Sequence, residues 1–520
     1  RRRKRGAFPD PNQRLYINPD VCEGCGDCGV QSNCVSLLPL ETPLGRKRQI
    51  DQSSCNKDFS CVNGFCPSFA TVRGGQLRRP AAQELSIPEL PAPPPCTLQG
   101  THNVVVTGVG GTGVVTIGAL LAMAAHLDGK AAGVMEMAGL AQKGGAVHIH
   151  CRIGETPEDI SAIRVALGEC DALIGGDLVV SAQGSTLGLM APTGGAVVNR
   201  HEIITGEFTR DTAFAIPGAD LHLALTARLQ ERARLLNATR LAETALGDTV
   251  YANMILLGAA YQQGLLPLTQ EALLEAIALN GAKVTQNQQA FALGRWAMVE
   301  ADLDSKFERK EAPVQDPEAA RVAGLRAYGS GRLARYEAMR SKLQGMEPDL
   351  RETALQSYHK LLCYKDEYEV ARLLQATKTQ VAERFEGDYE ISYHLAPPLL
   401  AKKGPDGRPQ KRSFGAWFDF ASQGLARFRF LRETPLDPFG YSAERRMERQ
   451  LIKDFESLVA RMLYAYEPAQ LGLWRELLSL PLNIRGFGPV KLANAQAMQK
   501  RRAELLAQLT SSPDTERSAA

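Results

Sequence analysis

The sequence predicts a multidomain α/β protein in three parts: a small cysteine-rich unit, a central open α/β unit and a mainly helical C-terminal unit. Three observations predict it. Seven of the eleven cysteines fall between Tyr16 and Pro67. From Asn103 a short β-branched strand runs into a glycine turn and then an apolar helix. Beyond about Ala301 the chain becomes charged and strand-poor, with apolar residues at helical spacing. The expected boundaries are 14–79, 100–300 and 310–512, with a proline-rich linker at 80–99. A length of 520 residues suits about three domains of ~100–200 residues.

Composition bounds the function classes. A net charge of +3 gives no argument for nucleic acid or membrane as a partner. No apolar run reaches the ~18 residues of a membrane span. Cysteines spaced as metal ligands, with no signal-peptide pattern visible, point to a cytoplasmic protein rather than a disulfide framework. The start Arg1-Arg2-Arg3-Lys4-Arg5 lacks a methionine and reads as a cut, the chain being the C-terminal part of something longer.

In the first unit, Cys22-x2-Cys25-x2-Cys28 is a tight hook that offers three thiolates to one cluster, and Cys66-Pro67 is the distant fourth. A zinc site would more often use two separated pairs. The stretch also repeats itself at an offset of 33 residues, with Ile17-Asn18 and Cys22 falling on Ile50-Asp51 and Cys55. On the same offset Cys28 falls on Cys61, Cys25 falls on Asp58, and Cys34 falls one residue past Cys66. This is the pattern of a two-cluster ferredoxin, whose halves exchange their fourth ligands. One cluster is assigned to Cys22, Cys25, Cys28 and Cys66, the other to Cys34, Cys55 and Cys61 with Asp58 in the remaining place. A carboxylate is a harder ligand than a thiolate, so the second cluster is expected as four-iron with an oxygen ligand or as three-iron. A solvated loop acid is the alternative for Asp58.

Six prolines between Pro80 and Pro95 make a stiff, extended spacer. The strand Val104–Thr107 then opens the central unit. Gly108, Gly110, Gly111, Thr112 and Gly113 form the turn, and Val114 to His126 is helical. Free N–H groups at such a helix start suit a phosphate. Gly108-x-Gly110-x-x-Gly113 matches the dinucleotide fingerprint, but the acid expected about 20 residues on has only Glu136 as a late candidate. Three readings stay open: glycine packing alone, coenzyme A or another phosphate, and a nicotinamide.

A second glycine loop, Gln142-Lys143-Gly144-Gly145, leads into the strand Ala146–Ile153, which carries His148, His150 and Arg152 on one polar face. Asp177 and Asn199 stand at strand ends, where they line a crevice or cap a turn. Residues 250–300 read as helix, as do most of Pro317–Phe385 and Ala443–Leu509. Two aromatic, Gly- and Pro-rich pieces interrupt the last unit, Tyr393 to Tyr441 and Leu482 to Gly488. They are expected to pack against a partner domain. The tail after Ser511 is expected to be disordered.

These features together resemble the 2-oxoacid:ferredoxin oxidoreductases, and among them the long fused bacterial indolepyruvate ferredoxin oxidoreductases. Cys22 to Cys28 and Asp51 to Pro67 resemble that family's ferredoxin-like segment, and Gly108 to Thr116 the opening of its gamma domain. Leu436 to Tyr441 and Ile484 to Gly488 resemble its C-terminal extension. The resemblance implies decarboxylation of an aryl-2-oxoacid on thiamine diphosphate, coenzyme A as acyl acceptor, and electrons leaving singly through iron–sulfur clusters to ferredoxin. It also implies a homodimer. The family's Gly-Asp-Gly for magnesium and diphosphate is absent, since Gly176-Asp177-Leu178, Gly247-Asp248-Thr249 and Gly387-Asp388-Tyr389 all fail at the third position. The thiamine domains are therefore expected upstream of Arg1. Asp58 and the long Cys28-x5-Cys34 spacing depart from the family pattern and bear on the second cluster. A stand-alone iron–sulfur carrier and a nicotinamide-dependent reductase are the alternatives.

Overall fold

The computed structural model describes residues 10–78, 85–138, 145–202, 216–301, 303–307, 316–397, 404 and 408–511. Its mixed α/β plan, with a central sheet and a helical C-terminal region, agrees with those two parts of the expected fold class; the cysteine-rich part differs in one respect. The cysteine unit, expected at 14–79, is not closed by its own residues. Its four-stranded antiparallel sheet begins with Gln13–Ile17 and Phe69–Arg73. On the far edge of Phe69–Arg73 lies Glu390–Leu395, followed by Arg412–Phe414, both from the C-terminal unit. Phe385–Glu386 adds a further ladder to Gln76–Leu77.

Alternation explains why this strand is buried on both faces. Leu15, Ile17 and Phe69 face the cysteine loops, together with Leu37 and Ile50 of the hairpin Leu37–Leu40/Lys47–Ile50. Tyr16, Ala70 and Val72 face the opposite way, onto Leu374, Val381, Phe385, Ile391 and Tyr393. Each large side chain buried at this seam contributes about 1.5–3 kcal/mol. Polar bonds cross it too: buried Asn18 donates to Thr377 Oγ1 (2.8 Å) and to Leu373 O (3.2 Å).

The central unit is a six-stranded mixed sheet. In spatial order it runs Ala233–Leu236, Met190–Asn199, Cys170–Gly175, His102–Val109, Ala146–Gly154, Ala131–Ala138. The first four strands are parallel and the last two antiparallel. Helices Val115–Leu127, Ala252–Gln262, Gln270–Leu279 and Val284–Val299 belong to the larger core on one face. Gly218–Leu229 packs on the other. Ala252–Gln262 and Val284–Val299 meet backbone to backbone: a Cβ on Gly258 would lie 1.9 Å from Phe291 O, and one on Gly294 would lie 1.9 Å from Ile255 O. The described part of the proline-rich segment has no regular secondary structure and is tied down as a strap rather than left as a free spacer. Pro91 O accepts from Gln262 Nε2 (3.0 Å) and Arg295 Nη2 (3.1 Å).

The C-terminal unit is helical around one core, which takes in Ala495, Met498, Leu505 and Leu509 of the last helix, Gly488–Ser511. Among the described residues no helix is long and apolar enough to cross a membrane.

Tyr393 is fully buried at the seam and donates from its hydroxyl to Asp419 Oδ1 (2.6 Å). Tyr393→Ala should lower stability by about 3–5 kcal/mol. It should also strip hydrogen-exchange protection from residues 69–73, not only from 390–395. Full protection of 69–73 in this variant would show that the two units fold apart.

Candidate functional site

The cysteine loops hang from turns built twice. Asn18 Oδ1 accepts the N–H groups of Asp20 (2.8 Å) and Val21 (3.2 Å), and Asp51 accepts those of Ser53 (2.9 Å) and Ser54 (3.2 Å). Cys22 N–H donates to Asn18 O (3.0 Å), and Cys55 N–H donates to Asp51 O (3.1 Å). Gly24 and Gly26 are left-handed, with φ 65° and 79°. Thirty-three residues on, Lys57 and Phe59 hold the same conformation at 56° and 61°, although neither is glycine. Such backbone costs about 1–3 kcal/mol per residue and persists only where surroundings impose it.

The same repeat places Asp58. Cys22 Sγ accepts from Gly24 N–H (3.3 Å), Cys25 from the backbone of Asp27, and Cys55 from that of Lys57. Asp58 Oδ1 accepts the N–H of Ser60 (3.1 Å), the counterpart of the Asp27 N–H on Cys25. It also takes the Ser60 hydroxyl (2.8 Å), and Asp58 is exposed.

Cys22, Cys25, Cys28 and Cys66 line one cavity, walled by Ile17, Phe65 and Phe69. Burial pushes the Cys25 thiol up to about 12, with repulsion from Cys66 next, and the same two causes push Cys28 well above its ordinary value. Burial raises Cys66 too, against the pull of Lys411. Cys34, Cys55, Cys61 and Asp58 form the other set. Burial raises Cys61 to about 12 and raises Cys55 as well, and the charges of Cys34 and Asp58 add to both. At Cys25, Cys28, Cys55, Cys61 and Cys66, burial first and neighbouring sulfurs after it favour the protonated thiol. Among the described residues no group of three His, Cys, Asp or Glu is drawn together as a metal site.

Charged residues from the C-terminal unit close over the first set. Glu23, within the hook, pairs with Lys360 (2.9 Å) and Lys365 (2.8 Å). Burial works against its charge, but the two ammonium groups prevail and hold its carboxyl well below the usual range. Lys365 also donates to Val21 O (3.1 Å) and Cys22 O (3.3 Å). Lys411 donates to Gly64 O and Cys66 O. Asp27 ties the hook to the Cys66 loop by accepting Phe65 N–H (2.6 Å), and it pairs with Arg408 (3.4 Å). The turn around Gly486 lies so close that a Cβ there would be 3.3 Å from Cys25 Cβ, and one on Gly488 would be 2.5 Å from the Phe65 ring. Both interrupting loops of the last unit thus pack on the cysteine unit. The basic residues Lys360, Lys365 and Lys411 were not read from the sequence, since a surface lysine carries no local mark of a distant target.

In the central unit the strand–turn–helix forms as expected, over His102–Val109 and Val115–Leu127. Gly111 and Gly113 are left-handed (φ 104° and 87°), and a Cβ on Gly108 would meet Val114 at 2.6 Å. Gly110 N–H is occupied by Gly145 O (2.8 Å), and Asn253 holds Thr112 O (2.9 Å). Residues 139–144, with most of the second glycine loop, lie outside the described residues. Glu136 is exposed on the edge strand Ala131–Ala138.

His148, His150 and Arg152 do share a face, but residues 162–186 cover it. His148 Nε2 meets Thr186 Oγ1 (3.0 Å), His150 Nδ1 accepts Val165 N–H (3.0 Å), and Arg152 donates to Ala162 O (3.1 Å). Burial pushes His150 down to about 4. Of the two roles read for Asp177, the structure shows the cap: it accepts Val180 N–H (2.8 Å). Asn199 bonds Gly176 O (3.1 Å) and Thr239 Oγ1 (2.8 Å).

Comparison with known proteins places the central unit. Residues 103–297 match the family described as pyruvate ferredoxin/flavodoxin oxidoreductase, and residues 317–504 match a family of unknown function, DUF6537. Indolepyruvate oxidoreductase subunit IorB of Archaeoglobus fulgidus is 29% identical over 199 residues, covering 37% of this chain and 92% of that protein. The subunit of the same name from Thermococcus kodakarensis is 28% identical over 195 residues, 37% of this chain and 94% of that protein. A solved keto/oxoacid ferredoxin oxidoreductase gamma subunit from Geobacter sulfurreducens aligns over 38% of this chain and 98% of its own, at 23% identity and a TM-score of 0.28.

Asp177 supplies a pH test of the central unit. Burial pushes its carboxyl up to about 6, and its Oδ2 has no partner among the described residues. The folded group therefore holds its proton at a pH where the unfolded one has lost it. Stability falls as pH rises from the ordinary carboxylate value through the folded one, by about 3 kcal/mol in all. Asp177→Asn keeps the cap and removes the charge. It should raise the melting temperature at pH 8 and raise it less at pH 5. An equal shift at both pH values in scanning calorimetry would refute the buried charge as the cause.

Proposed function

We propose that this chain, whose residues 103–297 belong to the 2-oxoacid:ferredoxin oxidoreductase family, is the electron-transfer and gamma portion of an indolepyruvate ferredoxin oxidoreductase. One observation carries the electron-transfer half: two sets of sulfur ligands, hung from the same turns 33 residues apart, with buried thiols that resist ionising alone. Two iron–sulfur clusters are the occupants these sets suit, the first on Cys22, Cys25, Cys28 and Cys66. The second would sit on Cys34, Cys55 and Cys61 with Asp58 at its fourth corner, four-iron or three-iron. When bound, a cluster accepts one electron at a time at a potential set by ligands, hydrogen bonds and burial.

The chain's own residues do the rest. N–H groups of Gly24 and Asp27 steady the thiolates of the hook. Phe65 and Phe69 keep water from the first set. Lys411 and Arg48 stand where their charge would offset that of the thiolates: burial lowers both, and the facing sulfurs work against that lowering. Thiamine diphosphate with magnesium, and the decarboxylation itself, would belong to domains outside this sequence. Coenzyme A would accept the acyl group, with the turn Gly108–Gly113 as a candidate for its phosphates, and ferredoxin would take the electrons. The IorB relatives favour indolepyruvate as substrate, and the named subunits among them favour work within a larger assembly.

After oxygen-free purification the chain should carry about seven to eight irons with matching acid-labile sulfide. Zinc, or no metal, would end this reading. Cys22→Ser should abolish the first cluster and destabilise its unit, because metal binding is coupled to folding. Asp58→Cys should make the second cluster resist conversion to a three-iron form. Paramagnetic resonance spectra identical to those of the unchanged protein would remove Asp58 from the ligand set.

A further inference from the structure

The segment 411–441 joins the first cysteine set to an unusual surface. Lys411 holds the carbonyls of Gly64 and Cys66. Phe414 and Phe418 pack on the same core as Phe65 and Cys66, and Trp417 lies 5.8 Å and 6.1 Å from their ring centres. Helix Trp417–Arg427 has two apolar faces. Phe418, Ser422 and Ala426 turn inward. Trp417, Phe420 and Arg427 share the outward face at spacings of three and seven, and Phe428, just beyond the helix and eleven residues on from Trp417, falls beside it. Trp417 is 64% exposed, Phe420 84% and Phe430 69%. Scattered exposed apolar residues are ordinary, but a run of large aromatics on one outward face marks an interaction site.

Charge identifies the occupant. The acids of this segment are engaged inside the chain: Asp419 by Tyr393 and Lys378, Glu433 by Arg332 and Tyr364, Asp437 by Tyr368. Arg412 and Arg427 are exposed and take no partner among the described residues. The segment that carries this face therefore offers aromatic rings and, at Arg412 and Arg427, exposed positive charge. A second copy brought to it would set like charges opposite one another. We propose that this surface docks an acidic one-electron carrier protein, seated on Trp417, Phe420, Phe428 and Phe430, steered by Arg412 and Arg427, and exchanging electrons with the first cysteine set through the Phe414–Phe418 contact. Small interfaces with strong steering suit carriers that must leave quickly.

This inference rests on the electron-transfer reading, and the test separates the two. The full chain, loaded with iron and sulfide and reduced, is mixed in stopped flow with a strongly acidic plant-type [2Fe–2S] ferredoxin, and separately with oxidised methyl viologen. Arg412→Glu with Arg427→Glu should slow transfer to the ferredoxin about tenfold and flatten its salt dependence. Trp417→Ala with Phe420→Ala should weaken the complex about tenfold. Viologen reduction and iron content should stay unchanged in both. Unaltered ferredoxin rates in both variants would overturn the docking site. So would a dimer that dissociates in the aromatic variant while its ferredoxin rate is unchanged, since a second copy would then cover the face. Failure to reduce even viologen in the unchanged protein would instead sink the electron-transfer reading itself.

Discussion

The strand Phe69–Arg73 is the constraint on which the rest depends. Its two edges carry partners from opposite ends of the chain, Gln13–Ile17 and Glu390–Leu395. Its two faces cover two different cores. Phe69 stands on the cysteine side, next to loops that would otherwise have little apolar mass beneath them. A unit of some sixty residues is marginal alone, and small domains usually need help from metals or partners. Here the help comes from 323 positions away, where His394 also meets Thr71 across the ladder (2.7 Å). The C-terminal unit, which matches a family of unknown function, thus has one definite structural role in this chain. It completes the sheet of the cysteine unit and closes over Cys22, Cys25, Cys28 and Cys66.

The two cysteine sets differ in surroundings although they share a backbone design. The first is roofed by the Gly486 turn, and its loop is gripped by Lys360, Lys365 and Lys411. The second keeps an exposed Asp58 at the place where the first has Cys25. Burial and nearby cations are the levers by which a protein separates the potentials of similar clusters. Two occupants of these sets would therefore differ in potential for reasons visible in the fold. The interlock also explains why an outward aromatic face can lie close to the first set: the strand Arg412–Phe414 that closes the sheet leads straight into it.

Much of the site was legible because its logic is local. The 33-residue repeat was visible in cysteine spacing, and it reappears in hydrogen bonds and in the left-handed positions at 24, 26, 57 and 59. The strand, glycine turn and helix after Asn103 formed as read. The strand Glu390–Leu395 was missed, although Ile391, Tyr393 and Leu395 alternate with Glu390, Ser392 and His394. The proline pair after it drew the reading toward a loop. The strap at Pro91 was missed for another reason: its partners, Gln262 and Arg295, sit on helices far along the chain.

By itself, then, the sequence determined the kinds of atoms offered for chemistry and their grouping along two hooks. Ligand spacing, glycine turns and period-2 or period-3.6 apolar patterns act over a few residues, and those are written directly in the chain. Only the tertiary structure decided what lies over the hooks, which charges face them and which outward aromatic face lies beside them. Those depend on a strand and several lysines arriving from more than three hundred residues away, and no short-range pattern encodes which surface a distant side chain will meet.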